Sequence, residues 1–448
     1  MLQKKEQQLK DDSLLVNENK SQDKPLSLKK NFSWAFIGNI INVICLWGVV
    51  TAVVKLGSVE MVGQLELART IAMPVIMIVM FQLSAIQVTD AQNKYSFSEY
   101  LGTRLSMTLI GIILFAMISF VYYDGNVSWI IMLWGLAKCI DSISDIIKGL
   151  FQKHERMNLC AISFMVRSPA VFLSLALTLW LTNNLFKSLV AVVFAWSFSL
   201  IVYDIPNAKH LLNVVSARNH CVGKLFPEFN FGRIKSLLWL SFPLGIVMFL
   251  GAIQNSISRL VLEHYHGAES LGYFGPLVYP MSIGTMAIAA MGQSASPRLA
   301  HYFVHNLPAY IKLMKKLLLL ALIGGIIFVI SVVVFGKIAL RLIYTADYAQ
   351  YNVDFVILSI GGAISFLSYF CGYGLTAARI FKMQLILAIV ACSVSAIASF
   401  LLIPHYGIRG ASITYSIVML ALFICSIATL IYSIEKRRKQ LIKQVGVL

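Results

Sequence analysis

Charged residues are scarce in this chain. Asp, Glu, Lys and Arg make up 13% of the 448 residues, whereas 58% of the residues are hydrophobic and the mean hydropathy is +0.77. A soluble protein of this length needs far more charge to cover its surface. The scarcity of charge therefore excludes an ordinary soluble globular protein.

The sequence also lacks the motifs of catalysis and cofactor binding. It contains no GxxxxGK[ST] phosphate loop, no HExxH helix and no GxSxG turn. The seven cysteines form no close-spaced pair, and the eight histidines show no metal-ligand spacing. No soluble segment is long enough for a nucleotide-binding domain, which excludes an ATP-driven pump. We therefore expect a protein that is not an enzyme and that uses no cofactor or metal.

Long apolar runs are abundant. About 20 helical residues cross a hydrocarbon core of roughly 30 Å, and such runs recur from end to end. Polar breaks between them predict an all-α polytopic membrane protein with twelve transmembrane helices. The predicted spans are 33–54, 65–88, 103–123, 127–149, 159–181, 186–205, 236–258, 273–295, 315–335, 355–377, 383–403 and 410–432.

The distribution of basic residues sets the predicted orientation. With the N-terminus inside, 28 of the 37 Lys and Arg residues lie on the inner side and six on the outer side. Cytoplasmic loops of membrane proteins carry this excess. Both termini are therefore predicted to be cytoplasmic. The net charge of +17 is explained by attraction to a cytoplasmic leaflet, so we expect no nucleic-acid partner.

The longest interior polar break divides the chain into two sets of six spans. The predicted parts are a disordered cytoplasmic tail (1–31), an N-lobe (32–205), a cytoplasmic linker (206–235), a C-lobe (236–433) and a basic cytoplasmic tail (434–448). Corresponding connections favour an internal duplication, which is common among transporters. Each runs glycine, acid, glycine and proline: Gly57, Glu60, Gly63 and Pro74 against Gly267, Glu269, Gly272 and Pro280.

Three charges interrupt the fourth predicted span. Lys138, Asp141 and Asp145 share one helical face, because they are spaced i, i+3 and i+7. Counting 1.5 Å per residue places Lys138 about 14 Å from the inner surface, and Arg167 on the next span about 13 Å from it. Charges at such depths face protein or water rather than lipid. Together with Arg69 of the second span, these cations are the candidate binding residues for an anionic group.

These charges also have structural interpretations, in which they bind no ligand. Lys138 and Asp141 can neutralise each other in a polar seam between helices. Asp145, near the inner rim, can lie in interfacial water, and Arg69 can extend outward to the surface. In the second half, the spans carry polar and aromatic residues in place of formal charge, among them Gln254, Asn255, Gln293, Tyr369 and Tyr373.

Two stretches resemble a known family. The connection "LGSVEMVGQLELARTIAMP" (56–74) and the segment "SISDIIKGLFQKHERMNLCAISFMVRSPAVF" (142–172), together with the 6+6 arrangement, resemble the Wzx-type polysaccharide flippases. These belong to the multidrug/oligosaccharidyl-lipid/polysaccharide exporter superfamily, with the MATE exporters and the lipid II flippases. The resemblance implies a MATE-like V of two six-helix lobes that alternates between inward-open and outward-open states.

The resemblance also implies a cargo and a place. Such flippases move oligosaccharides on undecaprenyl pyrophosphate across the bacterial plasma membrane, for O-antigen, capsule or exopolysaccharide assembly, alongside polymerases and other assembly proteins. By position, the cationic cavity residues that meet the pyrophosphate would be Lys138, Arg167 and Arg69, with Asp141 and Asp145 as counter-charges or coupling residues.

Other transporter and enzyme classes fit less well. A MATE-type cation-coupled multidrug antiporter shares the fold, but the first span has Asn39 and Asn42 and no acid. The loop 89–104 lacks the basic Gly/Asp pattern of a major-facilitator transporter. A membrane polymerase or ligase would need a large outer loop, and the largest here, 336–354, is short.

Overall fold

The regular structure of this chain is helical. The computed structural model describes residues 28–90, 93–218, 225–378 and 380–445, so residues 1–27 of the predicted tail lie outside the described part. The helices are α1 (Leu28–Leu56), α2 (Val59–Met80), α3 (Leu83–Thr89), α4 (Phe97–Tyr122), α5 (Gly125–Lys153), α6 (Met157–Thr182), α7 (Leu185–Ser199), α8 (Ile205–Arg218), α9 (Phe231–His305), α10 (Leu307–Ile343), α11 (Asn352–Ala377) and α12 (Phe381–Val445). A π-helical turn, Leu200–Asp204, joins α7 to α8, and a 3₁₀ helix, Ala346–Tyr351, precedes α11.

Within the described residues, nine helical segments are long and apolar enough to cross a membrane. Two of them, Phe231–Met286 and Met383–Lys439, are 56 and 57 residues long. Each is interrupted by a glycine in the left-handed region, Gly267 (φ 77°) and Gly407 (φ 55°), which a residue with a side chain adopts only at a cost. The expected all-helical, multi-pass membrane protein is confirmed, whereas twelve crossings in two lobes remain a prediction.

Apolar side chains on the outer surface of the bundle support this class. Large aliphatic and aromatic residues of many helices are more than half exposed. An exposed apolar surface of this extent is typical of a protein that contacts lipid. Examples are Leu109, Ile113, Leu177, Phe194, Ile327, Phe335, Ile397 and Phe400.

Helix packing divides the chain into two groups. In the first helix group (α1–α8), α1 packs on α6, α6 on α7, and α5 on α2, α4 and α7. In the second (α9–α12), α12 packs on α9 and α11, and α11 on α9 and α10. The groups meet mainly where α2 packs along α9. The division of the chain at the predicted linker stays a prediction, because the packing of α2 along α9 across the groups is as extensive as the packing within them.

The two groups share one apolar core at one end of the bundle, whereas at the other end each group has a core of its own and the start of α9 contacts the start of α4. The turns at 57–58, 123–124, 267 and 407 lie at the predicted outer end, and there one continuous apolar core spans both groups, from Val53 and Leu65 to Leu271, Tyr344 and Tyr348. Toward the predicted cytoplasmic end, the cores are distinct. One is built almost wholly from the first group, and the other from the second. The bundle is therefore closed at the predicted outer end.

Gly63 and Gly272, which occupy corresponding places in the two compared connections, lie at this closed end. A Cβ atom on Gly63 of α2 would come within 1.9 Å of the Ala268 carbonyl oxygen of α9. A Cβ atom on Gly272 would come within 2.4 Å of the Val59 carbonyl oxygen. The two backbones approach this closely because neither glycine has a side chain, as is common where membrane helices cross.

Two predicted boundaries differ from the observed helices. Helix α8 occupies Ile205–Arg218, the first part of the predicted linker 206–235, and α9 begins at Phe231. Helix α12 continues through the predicted basic tail as far as Val445. Between α8 and α9, the Glu228 amide donates a hydrogen bond to the Ser98 carbonyl at 3.0 Å, which ties the linker to the start of α4.

Candidate functional site

Asp141 is the centre of a cluster of cations. Its carboxylate accepts hydrogen bonds from the Arg167 guanidinium of α6 and from Lys138 Nζ at 3.3 Å, and it lies 3.7 Å from Lys148 Nζ. We call these four residues the Asp141 cluster. Three cations around one carboxylate leave an excess of positive charge that a second anion can neutralise.

Lys138 is paired and also faces open space. Its ammonium group lies 4.8 Å from the Trp196 ring centroid and 5.9 Å from that of Trp134, while its side chain remains 21% exposed. The self-neutralised pair with Asp141 and the cavity-facing role, which the sequence left as alternatives, are therefore both present in the structure.

Asp145 belongs to a separate ion pair. Arg104 of α4 lies 3.1 Å from the Asp145 carboxylate and donates a hydrogen bond to the Val79 carbonyl at 2.9 Å. Arg104 is completely buried, although the apolar-run boundary assigned it to the rim of the third span. Asp145 is therefore half-buried and pairs with a fully buried arginine, and Lys148 likewise turns inward to Asp141.

Loss of the Arg104 pair should cost stability. We expect Arg104→Ala to lower the free energy of unfolding by about 3 kcal/mol, because Asp145 would keep a partly buried charge without its cation. The control is Arg233→Ala, which removes a half-exposed partner of Glu99 and should cost about 0–1 kcal/mol, because Glu99 keeps its hydrogen bond from the Ser96 amide. Thermal unfolding of both variants in detergent, followed by tryptophan fluorescence, measures the difference. Equal melting temperatures would contradict this assignment.

A second charged cluster joins the two helix groups. Glu66 of α2 is fully buried and accepts hydrogen bonds from Arg259 at 3.2 Å and from the Tyr279 hydroxyl at 3.0 Å, both on α9. Arg69 lies 3.6 Å from Glu66, and its guanidinium carbon lies 5.0 Å from the Tyr279 ring centroid and 5.5 Å from that of Trp134. These residues (Glu66, Arg69, Arg259 and Tyr279) form the Glu66 cluster. Arg69 thus turns toward the protein interior and does not extend to the outer surface.

Both clusters line connected cavities. A cavity of about 800 Å³ between the helix groups is lined by Arg69, Arg259, Trp134 and Lys138. A smaller cavity of about 230 Å³ is lined by the Asp141 cluster, Asp145, Asn42 and Trp196, and it shares Lys138 with the larger one. The five sequence-predicted residues therefore line two cavities that share Lys138, although Asp145 is also paired with Arg104.

The facing wall of the larger cavity is nearly neutral. Among the described lining residues, the second helix group contributes a single charge, Arg259, beside many amides, hydroxyls and phenols. They include Gln254, Asn255, Ser282, Thr285, Ser365, Ser368, Tyr369, Tyr373, Gln384 and Tyr415. Aromatic rings and short polar side chains can pack against and hydrogen-bond a polyhydroxylated ligand. The cations on the opposite wall can bind an anionic group. In the described part of the chain, no three His, Cys, Asp or Glu side chains come close enough to hold a metal ion.

Comparison with known sequences places the chain in a family. The sequence model of the family described as "Polysaccharide biosynthesis protein" matches residues 28–303, which covers α1 to α9 and both charged clusters. The chain belongs to the polysaccharide biosynthesis protein family. The capsular polysaccharide biosynthesis protein CapF of Staphylococcus aureus is 26% identical to this chain over 389 residues, which cover 87% of this chain and 95% of CapF. The resemblance to the Wzx-type polysaccharide flippases is thereby confirmed.

Comparison with solved structures shows which fold this chain adopts. An inward-facing MATE multidrug transporter of the MOP superfamily superposes with a TM-score of 0.62 at 12% identity, covering 90% of this chain and 96% of the transporter. A point mutant of the Vibrio cholerae MATE transporter VcmN gives a TM-score of 0.58 at 14% identity, covering 92% of this chain and 97% of VcmN. The fold is therefore that of the MATE transporters.

Proposed function

We propose that the protein is a flippase that moves undecaprenyl-pyrophosphate-linked oligosaccharide repeat units from the inner to the outer leaflet of the bacterial plasma membrane. The observation that carries this proposal is the Asp141 cluster, where Lys138, Lys148 and Arg167 surround one carboxylate beside a cavity of about 800 Å³. Its excess positive charge suits a pyrophosphate, and an arginine fork suits phosphate oxygens. Membership of the polysaccharide biosynthesis protein family supports the saccharide part of the cargo.

In the proposed mechanism, the cargo crosses the membrane by alternating access. Each glycine break, at Gly267 and Gly407, separates two consecutive crossings, which divides the nine apolar segments of the described residues into eleven crossings, and α5 adds the twelfth. These twelve crossings form an N-lobe (32–205) and a C-lobe (236–433) with cytoplasmic termini. The closed outer end and the separate cores toward the cytoplasm correspond to a state that receives cargo from the inner side. Rocking of the lobes would then expose the cavity to the outer side.

Cations at intermediate depth lower the barrier for the cargo. Moving an ionised phosphate through hydrocarbon alone is prohibitively costly, because the ion loses its hydration. The Asp141 cluster and the Glu66 cluster replace that hydration at two depths. The polar and aromatic wall of the second helix group would accompany the saccharide, which leaves to a polysaccharide polymerase and other assembly proteins.

A deletion strain tests the proposal against a MATE-type cation-coupled multidrug antiporter. Surface polysaccharide, lipid-linked intermediates and drug sensitivity are measured together in the deletion strain and after complementation. We expect lost surface polysaccharide, accumulated lipid-linked intermediate and unchanged drug sensitivity. Unchanged polysaccharide with new drug sensitivity would show the antiporter instead.

A further inference from the structure

The Glu66 cluster lies where the two helix groups are joined. Glu66 and Arg69 belong to α2, whereas Arg259 and Tyr279 belong to α9 on either side of the Gly267 break. The hydrogen bonds from Arg259 and Tyr279 to Glu66 therefore cross between the groups. Any motion that separates the groups at the predicted outer end must break these bonds.

The cluster has more cation than anion. Two arginines converge on one carboxylate, and Arg259 and the Tyr279 hydroxyl take its two oxygens. Arg69 is 3.6 Å away, beyond hydrogen-bond reach, and its buried Nη1 has no hydrogen-bond partner. Since the Arg69 and Arg259 side chains are 17% and 22% exposed and both line the larger cavity, a ligand there meets two guanidinium groups.

Aromatic rings hold Arg69 in this position. Its guanidinium carbon lies within 5.5 Å of the ring centroids of Trp134 and Tyr279, which restrict it from opposite helices. Arginine stacks on such rings and still presents its planar edge to an anion. The side chain is therefore positioned before any ligand arrives.

We propose that Arg69 and Arg259 form a second anion-binding site that is shared between the helix groups. In this structure the Glu66 carboxylate occupies the site. An anionic group of the cargo displaces this carboxylate, and the closed outer end is then free to open. The inference rests on the proposed flippase function. The ligand class is an anionic oxygen group, either the pyrophosphate or a sugar carboxylate. Displacement breaks the bonds that Glu66 makes to α9, so cargo binding and opening of the outer end are linked.

The effect of Glu66 on the closed end is measured without any cargo. Spin labels are placed at Asp124→Cys and Lys337→Cys, two exposed positions at the predicted outer end in different helix groups, on a cysteine-free full-length protein in nanodiscs. We expect Glu66→Gln to add a longer inter-label distance, because Arg69 and Arg259 then lack their anion. The control is Glu60→Gln on the same helix, an exposed residue that contacts Gln64, which should keep the wild-type distance. An unchanged distance in Glu66→Gln would overturn the inference.

The ligand is tested with two probes. Undecaprenyl pyrophosphate and a soluble uronic-acid oligosaccharide are added separately to the labelled protein. We expect at least one to produce the longer distance, and the responding probe identifies the anion. Arg69→Gln keeps the Glu66 bonds to α9, so it should remain closed and respond to neither probe. If neither probe lengthens the distance, or if Arg69→Gln responds like the wild type, the second site is refuted.

This outcome is separable from failure of the proposed function. Undecaprenyl pyrophosphate should also raise the melting temperature of the wild-type protein, and Arg167→Ala should lose that shift. A shift that depends on Arg167, without a longer distance, would refute the second site while supporting the flippase. Unchanged surface polysaccharide in the deletion strain would refute the flippase itself.

Discussion

Replacing Arg167 with Ala should reduce polysaccharide export by roughly 10- to 100-fold while leaving the protein in the membrane. The size follows from the loss of a charged hydrogen bond to the phosphate, about 1.5–3 kcal/mol. The fold should survive, because Asp141 keeps Lys138 at 3.3 Å and Lys148 at 3.7 Å as partners. We expect a similar loss for Lys138→Ala, where Arg167 and Lys148 remain with the carboxylate.

The measurement is surface polysaccharide per unit of membrane-inserted protein in a complemented deletion strain. Arg167→Lys keeps the charge without the bidentate fork and should give intermediate export. The control is Lys209→Ala, which removes an exposed cation of α8 away from both cavities and should leave export unchanged. Full surface polysaccharide in both alanine variants, at normal membrane levels, would rule out the Asp141 cluster as the anion site.

The similar depth of Lys138 and Arg167 can be predicted from sequence because consecutive helices share a short turn, whereas the contact of Arg167 with Asp141 was not predicted. Residues at equal distances from the turn at 154–156 reach equal depths, so counting the helical rise brings the two side chains level. The pairing of Asp145 with Arg104 and of Glu66 with Arg259 is different. The second pair is 193 residues apart in the chain, and no local pattern relates them. Tertiary packing alone decides these contacts.

The helix boundaries, too, could be predicted from the sequence only in part. Most apolar runs fall within single helices, because hydrocarbon requires every backbone group to be bonded internally. The predicted span 65–88 is an exception, because it crosses the break at Phe81 and Gln82 between α2 and α3. Polar residues near the ends of runs ended the predicted spans too early. The predicted outer loop 259–272 is helical on both sides of Gly267, and its first residue, Arg259, belongs to the cavity wall. Because polarity was taken as the edge of the membrane, Arg259 was left out of the predicted site; a polar helix face can turn inward as well as end a span.

Substitution of Gly63 should prevent the outer end from closing. In Gly63→Ala, the new Cβ atom would lie 1.9 Å from the Ala268 carbonyl oxygen and 2.5 Å from its carbon. Both are backbone atoms, so α2 and α9 must move apart, and overpacking of this kind costs about 1–3 kcal/mol. That cost falls only on the closed state, so it shifts the equilibrium toward the open one by roughly 5- to 100-fold. Export should fall because the cavity no longer returns to receive cargo.

Accessibility in intact cells measures this shift. Ser282→Cys places a thiol on the larger cavity, and a membrane-impermeant maleimide reaches it from outside only when the outer end opens. We expect faster labelling in the Gly63→Ala background than in the parent. Gly251→Ala is the matched control on α9, because its Cβ atom meets no atom within 4 Å. Equal labelling in both backgrounds would mean that the close approach of α2 and α9 does not set the closed state, and the Glu66 bonds would then have to hold it alone.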